Sequence, residues 1–183
     1  MRAPSGAISH VVLYVYDFEA MKDFYTDVMG FHLSDVGRAR NADICFLTLD
    51  PALDHHQLAL ASGRTGPRDA GSLNHVAFRV NTLADLRWRY DRLMAEEAVE
   101  HVDPVTHGSW LSVYWRDPEN NRMEFFFDTP WYMKQPIVEP LDFSLSDEEI
   151  LRVTEETYRD TEGFRPMSEW RAEKIRELAA DDA

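Results

Sequence analysis

Two histidines and a glutamate in this 183-residue chain are of types and spacings that could hold a metal. His10 opens the segment Ser9-His10-Val11-Val12-Leu13-Tyr14-Val15, and His75 opens Asn74-His75-Val76-Ala77-Phe78-Arg79-Val80. Each pairs a small polar residue and an imidazole with an apolar, β-branched-rich run that reads as a strand. Glu124 lies inside Met123-Glu124-Phe125-Phe126-Phe127. Strand alternation sends Met123, Phe125 and Phe127 to one apolar face and leaves Glu124, Phe126 and Asp128 on the other. A carboxylate in such a strand is costly to bury unpaired, and a metal or a cation removes that cost. Singly, each residue has a structural explanation: two histidines capped at strand starts, and an ion-paired glutamate. As a set they match the two-imidazole, one-carboxylate arrangement that binds a divalent metal on one side, as in non-haem Fe(II) oxygenases.

The elements that position them form a repeat. The histidine strands lie 65 residues apart, and the same offset relates Tyr25 to Tyr90 and Met29 to Met94. Phe18, Met21, Tyr25, Val28 and Met29 have helical spacing, as do Leu83, Leu86, Tyr90, Leu93 and Met94, and Gly30 is a natural stop for the first helix. Three strand candidates follow each helix: 31–36, 43–49 and 57–61, then 99–105, 110–115 and 122–127. Pro51, the stretch 63–71 and Asp117-Pro118-Glu119-Asn120-Asn121 supply turns. The fold expected is α+β, with two tandem βαβββ modules (about 7–62 and 72–131) forming one curved mixed sheet around a metal cleft.

Composition shifts near Trp131. Residues 132–183 read as an acidic, mainly helical extension, and from Trp131 onward 14 acids stand against 7 bases. Pro136 and Pro140 mark an extended connector. Ser146-Asp147-Glu148-Glu149 is a capping box, and a second helix is expected near 168–179. The net charge of -14 argues against nucleic acid or an anionic membrane as partner. No run of 18 apolar residues suggests a span. The N-terminal Met1–Gly6 lacks the pattern of a signal peptide, so a cytoplasmic location is expected. The one cysteine, Cys45, reads as a buried strand residue.

Together these residues resemble the vicinal oxygen chelate superfamily and, within it, the type I extradiol ring-cleaving dioxygenases, which include catechol 2,3-dioxygenase-like and 2,3-dihydroxybiphenyl 1,2-dioxygenase-like enzymes. The resemblance covers about residues 7–131. Its most telling stretch is Tyr114-Trp115-Arg116-Asp117-Pro118-Glu119-Asn120-Asn121-Arg122-Met123-Glu124, in which Tyr114 precedes the glutamate ligand by ten residues across an Asp-Pro turn. His56, second of the pair His55-His56, aligns with a histidine before a similar strand, and His107 precedes Tyr114 at a seven-residue interval, shorter than in several relatives. The resemblance implies Fe(II), or Mn(II), on His10, His75 and Glu124. It also implies a small aromatic diol and O2 as substrates, His56 as the acid–base group, and Tyr114, assisted by His107, hydrogen-bonding a substrate oxygen. A homo-oligomer, a dimer or larger, is implied as well. His55, His32 and His101 read as surface or strand residues, and Trp110 and Trp131 as either pocket-lining or packing aromatics.

Two other functions share much of this pattern. A glyoxalase-I-like metal-dependent isomerase or transferase would need a fourth protein ligand near His56 or Gln57. A metal-free drug-sequestering binder would have no need of the two histidines and the glutamate.

Overall fold

The computed structural model describes residues 7–69 and 73–180. The Met1–Gly6 reading, and residues 70–72 of the link between modules, lie outside the described residues. Each module follows the expected order. The first contains β1 (Val11–Val15), α1 (Phe18–Asp23, continued by a π-helical turn over Phe24–Val28), β2 (His32–Ala39), β3 (Ala42–Thr48) and β4 (Leu58–Ser62). The second contains β5 (Val76–Arg79), α2 (Leu83–Met94), β6 (Glu100–Thr106), β7 (Trp110–Arg116) and β8 (Arg122–Asp128). In each, the first strand runs parallel to the fourth, with Val12 opposite Ala59 and Ala77 opposite Glu124.

Hydrogen bonding keeps the modules in separate mixed sheets, ordered β1-β4-β3-β2 and, with the short strand β10 (Glu139–Pro140), β10-β6-β7-β8-β5. Where one curved sheet was expected, the ladders stop at β1 and β5. The inter-module contact is made instead by side chains and turns behind and beside those edges. Leu13, Val15, Phe78, Met123, Phe125 and Trp115 point back onto the helices and belong to one core that spans both modules. Phe31 meets Phe78 edge to face at 5.2 Å between centroids, and Trp115 lies 5.9 Å from Phe24.

The first helix changes pitch where it crosses the second module. Its last turn is π-helical, the kind of irregularity that re-aims side chains. Tyr25 in that turn is buried and donates to Asp117 Oδ2 at 2.9 Å. Gly30 ends the segment at φ +69°, a conformation that suits glycine. Burial pushes the Asp117 carboxyl up, although hydrogen bonds from Asn121, Tyr25 and Glu119 pull the other way. Next to it, Glu119 accepts from the backbone N–H groups of Tyr16 and Asp17 at 2.7 and 2.8 Å, and Arg64 donates to the Glu119 carbonyl at 3.0 Å. The ends of β1 and β4 are thereby tied to the turn that precedes β8.

The chain beyond β8 docks on this frame. The strands β9 (Trp131–Tyr132) and β11 (Arg165–Pro166) pair, β10 extends the second sheet, and α3 (Asp147–Tyr158) and α4 (Met167–Ala180) follow. The capping box at Ser146 forms as expected. Arg87 on α2 holds the connector, donating to Asp147 Oδ1 at 2.8 Å, the Phe143 carbonyl at 2.6 Å and the Leu145 carbonyl at 2.7 Å. Phe143 stacks on Tyr90 at 4.5 Å. Among the described residues, no helix is long and apolar enough to cross a membrane.

Candidate metal centre

The sheet faces turned away from the helices carry the candidate residues. His75 stands just before β5 with its Nδ1 2.7 Å from Asn74 Oδ1, and its Nε2 lies 3.1 Å from Glu124 Oε2. The Glu124 side chain is only 8 % exposed. Tyr114 sits directly across from Glu124 in the β7–β8 ladder, with its ring edge-on to His75 at 5.4 Å. Burial, together with the neighbouring Glu124 charge, pushes the Tyr114 phenol up to about 12, so it stays protonated in neutral solution. His107 Nε2 lies 3.3 Å from the Tyr114 hydroxyl, and its Nδ1 lies 2.6 Å from the Ile137 carbonyl. A carbonyl can only accept, so Nδ1 carries a proton; in the neutral ring Nε2 then accepts from Tyr114. Gln135 Nε2 donates to the His107 carbonyl at 2.9 Å, so the segment after β9 grips this histidine from two sides.

The other two candidates gather on the first module. His10 precedes β1, with its Nδ1 2.9 Å from Ser9 Oγ. Its ring packs on His56 at 4.3 Å between centroids, and His56 also meets Phe46 at 4.9 Å. Burial, then the neighbouring His10 and His55, hold the His56 imidazole below its ordinary value, so it is neutral at pH 7. His55 is exposed, 2.8 Å from Asp35 Oδ2, as a surface residue should be. His32 and His101 are exposed too, and Cys45 is buried on β3.

The six candidates therefore fall into two clusters: His10 with His56, and His75 with Glu124, Tyr114 and His107. Among the described residues, no three His, Cys, Asp or Glu side chains gather closely enough to hold one ion within the chain. The donor types nonetheless fit a divalent metal. Both histidines have Nδ1 engaged by the preceding side chain, which leaves Nε2 as the ligand atom. Glu124 meets an imidazole nitrogen where a cation would serve better. Arg122, two residues before Glu124, was missed from sequence; its guanidinium lies 4.1 Å above the Tyr114 ring and donates to Asn74 Oδ1 at 3.0 Å. Its place on the Glu124 face was the available signal. A cleft of about 700 Å³ opens between the modules beside Val12, Tyr14, Asn74, Val76 and Arg122. Neither Trp110 nor Trp131 lines it; Trp131 stacks on Phe164.

Residues 7–125 match the family described as the Glyoxalase/Bleomycin resistance protein/Dioxygenase superfamily. The chain belongs to that superfamily. Among curated relatives of this superfamily member, "Biphenyl-2,3-diol 1,2-dioxygenase 2" of Rhodococcus globerulus is 36% identical over 124 residues, covering 66% of this chain and 62% of the relative. "3-methylcatechol 2,3-dioxygenase" of Pseudomonas putida is 30% identical over 124 residues, covering 64% and 40%. The match thus spans less than two thirds of either relative. A solved glyoxylase/bleomycin resistance protein/dioxygenase domain from Frankia sp. EAN1pec superposes with a TM-score of 0.57 at 23% identity, over 69% of this chain and 93% of that one. That likeness bears on the fold.

Proposed function

We propose that this protein is an extradiol dioxygenase: it opens a catechol-type aromatic ring with O2 at a mononuclear Fe(II) held by His10, His75 and Glu124. The observation that carries the reading is the second-module cluster. There a buried carboxylate, an imidazole 3.1 Å away, a tyrosine held protonated and a second histidine 3.3 Å from the phenol converge on one sheet face. The names of the relatives agree with it.

When bound, Fe(II) would supply the Lewis acidity that lowers the proton affinity of a diol hydroxyl and the redox chemistry that activates O2. The chain's own residues do the rest. Tyr114 hydrogen-bonds a diol oxygen, and His107 Nε2 stands behind the phenol as the acceptor of its proton. His56, neutral at pH 7 and flanked by Phe46, takes up a proton from substrate and returns it to an oxygen as the ring opens.

The test is anaerobic loading with Fe(II), addition of catechol, 3-methylcatechol or 2,3-dihydroxybiphenyl, and admission of oxygen. A yellow ring-fission product with equimolar oxygen uptake is expected. One iron bound per chain with no uptake across a broad diol panel would refute the reading.

A further inference from the structure

By exposure His55 is the surface residue expected from the sequence, yet both of its ring nitrogens are engaged. Nε2 lies 2.8 Å from Asp35 Oδ2, and Nδ1 lies 3.0 Å from Nδ1 of His56. The side chains of His55 and Asp35 are 57% and 69% exposed. A pair that far in the open adds little to stability. What it fixes is the order of the protons. An ionised carboxylate can only accept, so His55 carries its proton on Nε2. In the neutral ring Nδ1 is then an acceptor, and the hydrogen between the two Nδ1 atoms belongs to His56. His56, neutral at pH 7, is left with Nε2 bare. Without the carboxylate, His55 would be free to hold its proton on Nδ1 and donate it, and His56 would then carry its own on Nε2.

An irregularity in β2 brings Asp35 to this place. Leu33 pairs with Leu47 and Asp35 with the adjacent Phe46, so Ser34 is the extra residue of a bulge. In unbroken register Asp35 would stand opposite Cys45, which is fully buried. The bulge turns it instead to the face of Phe46, whose ring meets His55 at 5.9 Å and His56 at 4.9 Å. Ser34 itself donates its hydroxyl to the His55 carbonyl at 2.5 Å. The two residues of the bulge thus hold His55 by its backbone and by its ring.

We propose that Asp35 and His55 are positioning residues for His56: they keep its proton on Nδ1 and leave Nε2 as the base. This rests on the acid–base role proposed above for His56. In that role Nε2 takes the proton of a diol hydroxyl and later gives it up to an oxygen, while His55 keeps the Nδ1–H occupied throughout. Asp35 and His55 act only through the His56 ring.

The experiment locates the protons. Long-range proton–nitrogen NMR spectra of the full-length, metal-free, nitrogen-labelled protein at pH 8 separate protonated from bare imidazole nitrogens. Spectra of His55→Gln and His56→Gln assign the signals. Wild type should show His56 protonated at Nδ1 and His55 at Nε2. Asp35→Ala should move the His56 proton to Nε2 in most molecules, and Asp35→Glu, which keeps an acceptor-only group, should not. Position 35 is exposed, so both variants should fold, as circular dichroism would check. In the iron-loaded protein with catechol, Asp35→Ala should lower kcat roughly 10-fold, the lower end for an outer partner that orients an imidazole. KM and bound iron should not change. A wild type with His56 protonated at Nε2 would overturn the proposal. So would an Asp35→Ala chain that keeps the wild-type pattern, or one that loses it at full turnover. The expected wild-type pattern with no turnover of any diol would uphold the orientation of His56 and refute the dioxygenase reading alone.

Discussion

The two modules occupy equivalent space and carry unequal chemistry. Offset by 65 residues and matched in register, Glu124 on β8 corresponds to Ala59 on β4. The second module thus has a carboxylate where the first has a methyl group. Its cluster is anionic, sheltered and buttressed by the residues after β9. The first module's cluster is imidazole only, and His10 is exposed. Burial acts on both clusters in opposite directions: with the Glu124 charge it makes the Tyr114 phenol hold its proton more tightly, and with the neighbouring His10 and His55 it makes the His56 ring hold one less tightly. The phenol that holds its proton and the imidazole that gives one up readily thus sit on different modules.

This contrast can be broken most severely at Glu124. Glu124→Ala should abolish stoichiometric metal binding in an elemental assay, whereas no single change in the first cluster other than at His10 should do so. His56→Ala should keep the metal and lower turnover by roughly 10²- to 10⁴-fold, the range for a lost proton-transfer group; unchanged turnover would remove His56 from the chemistry. Asp117→Ala strips the acceptor from Tyr25, from the Glu119 and Asn121 backbones and from the Asn121 side chain. It should cost about 3 kcal/mol in urea unfolding, and a much smaller loss would show that the junction is held elsewhere. Asn74→Ala should weaken metal binding by about 10- to 100-fold, through loss of the His75 orienting contact, and Ser9→Ala on the exposed side should weaken it less. The gentlest test is a tyrosinate ultraviolet titration. In the wild type Tyr114 should stay protonated until about pH 12. In Glu124→Gln, which removes the negative charge that disfavours the phenolate, its ionisation should move to lower pH.

Much of this was legible in the sequence because it is periodic. The βαβββ order, the strand faces around Glu124, the stop at Gly30 and the cap at Ser146 each leave a local pattern. The histidine–carboxylate candidates surfaced because two strand starts repeat and one strand holds a misplaced charge. What stayed hidden is long-range and aperiodic. Tyr25 and Asp117 are 92 positions apart and belong to no shared repeat. The helix match of Met29 to Met94 does not extend to burial: Met29 is buried at the junction, and Met94 is exposed. The grouping of His10 with His56, and of His75 with Glu124, is a property of packing in three dimensions, and no spacing encodes it. That is why the three candidate ligands can be read from the sequence as a set while their division between two clusters cannot.

The grip of Ile137 and Gln135 on His107 has a further meaning. By claiming the proton on one ring nitrogen, the acidic extension decides which face of the imidazole is a base. The nitrogen left free in the neutral ring is then the one 3.3 Å from the Tyr114 hydroxyl. A segment outside both modules thus sets the tautomer of His107, and a chain cut at residue 134 would keep the imidazole and the phenol while losing both contacts that fix that ring.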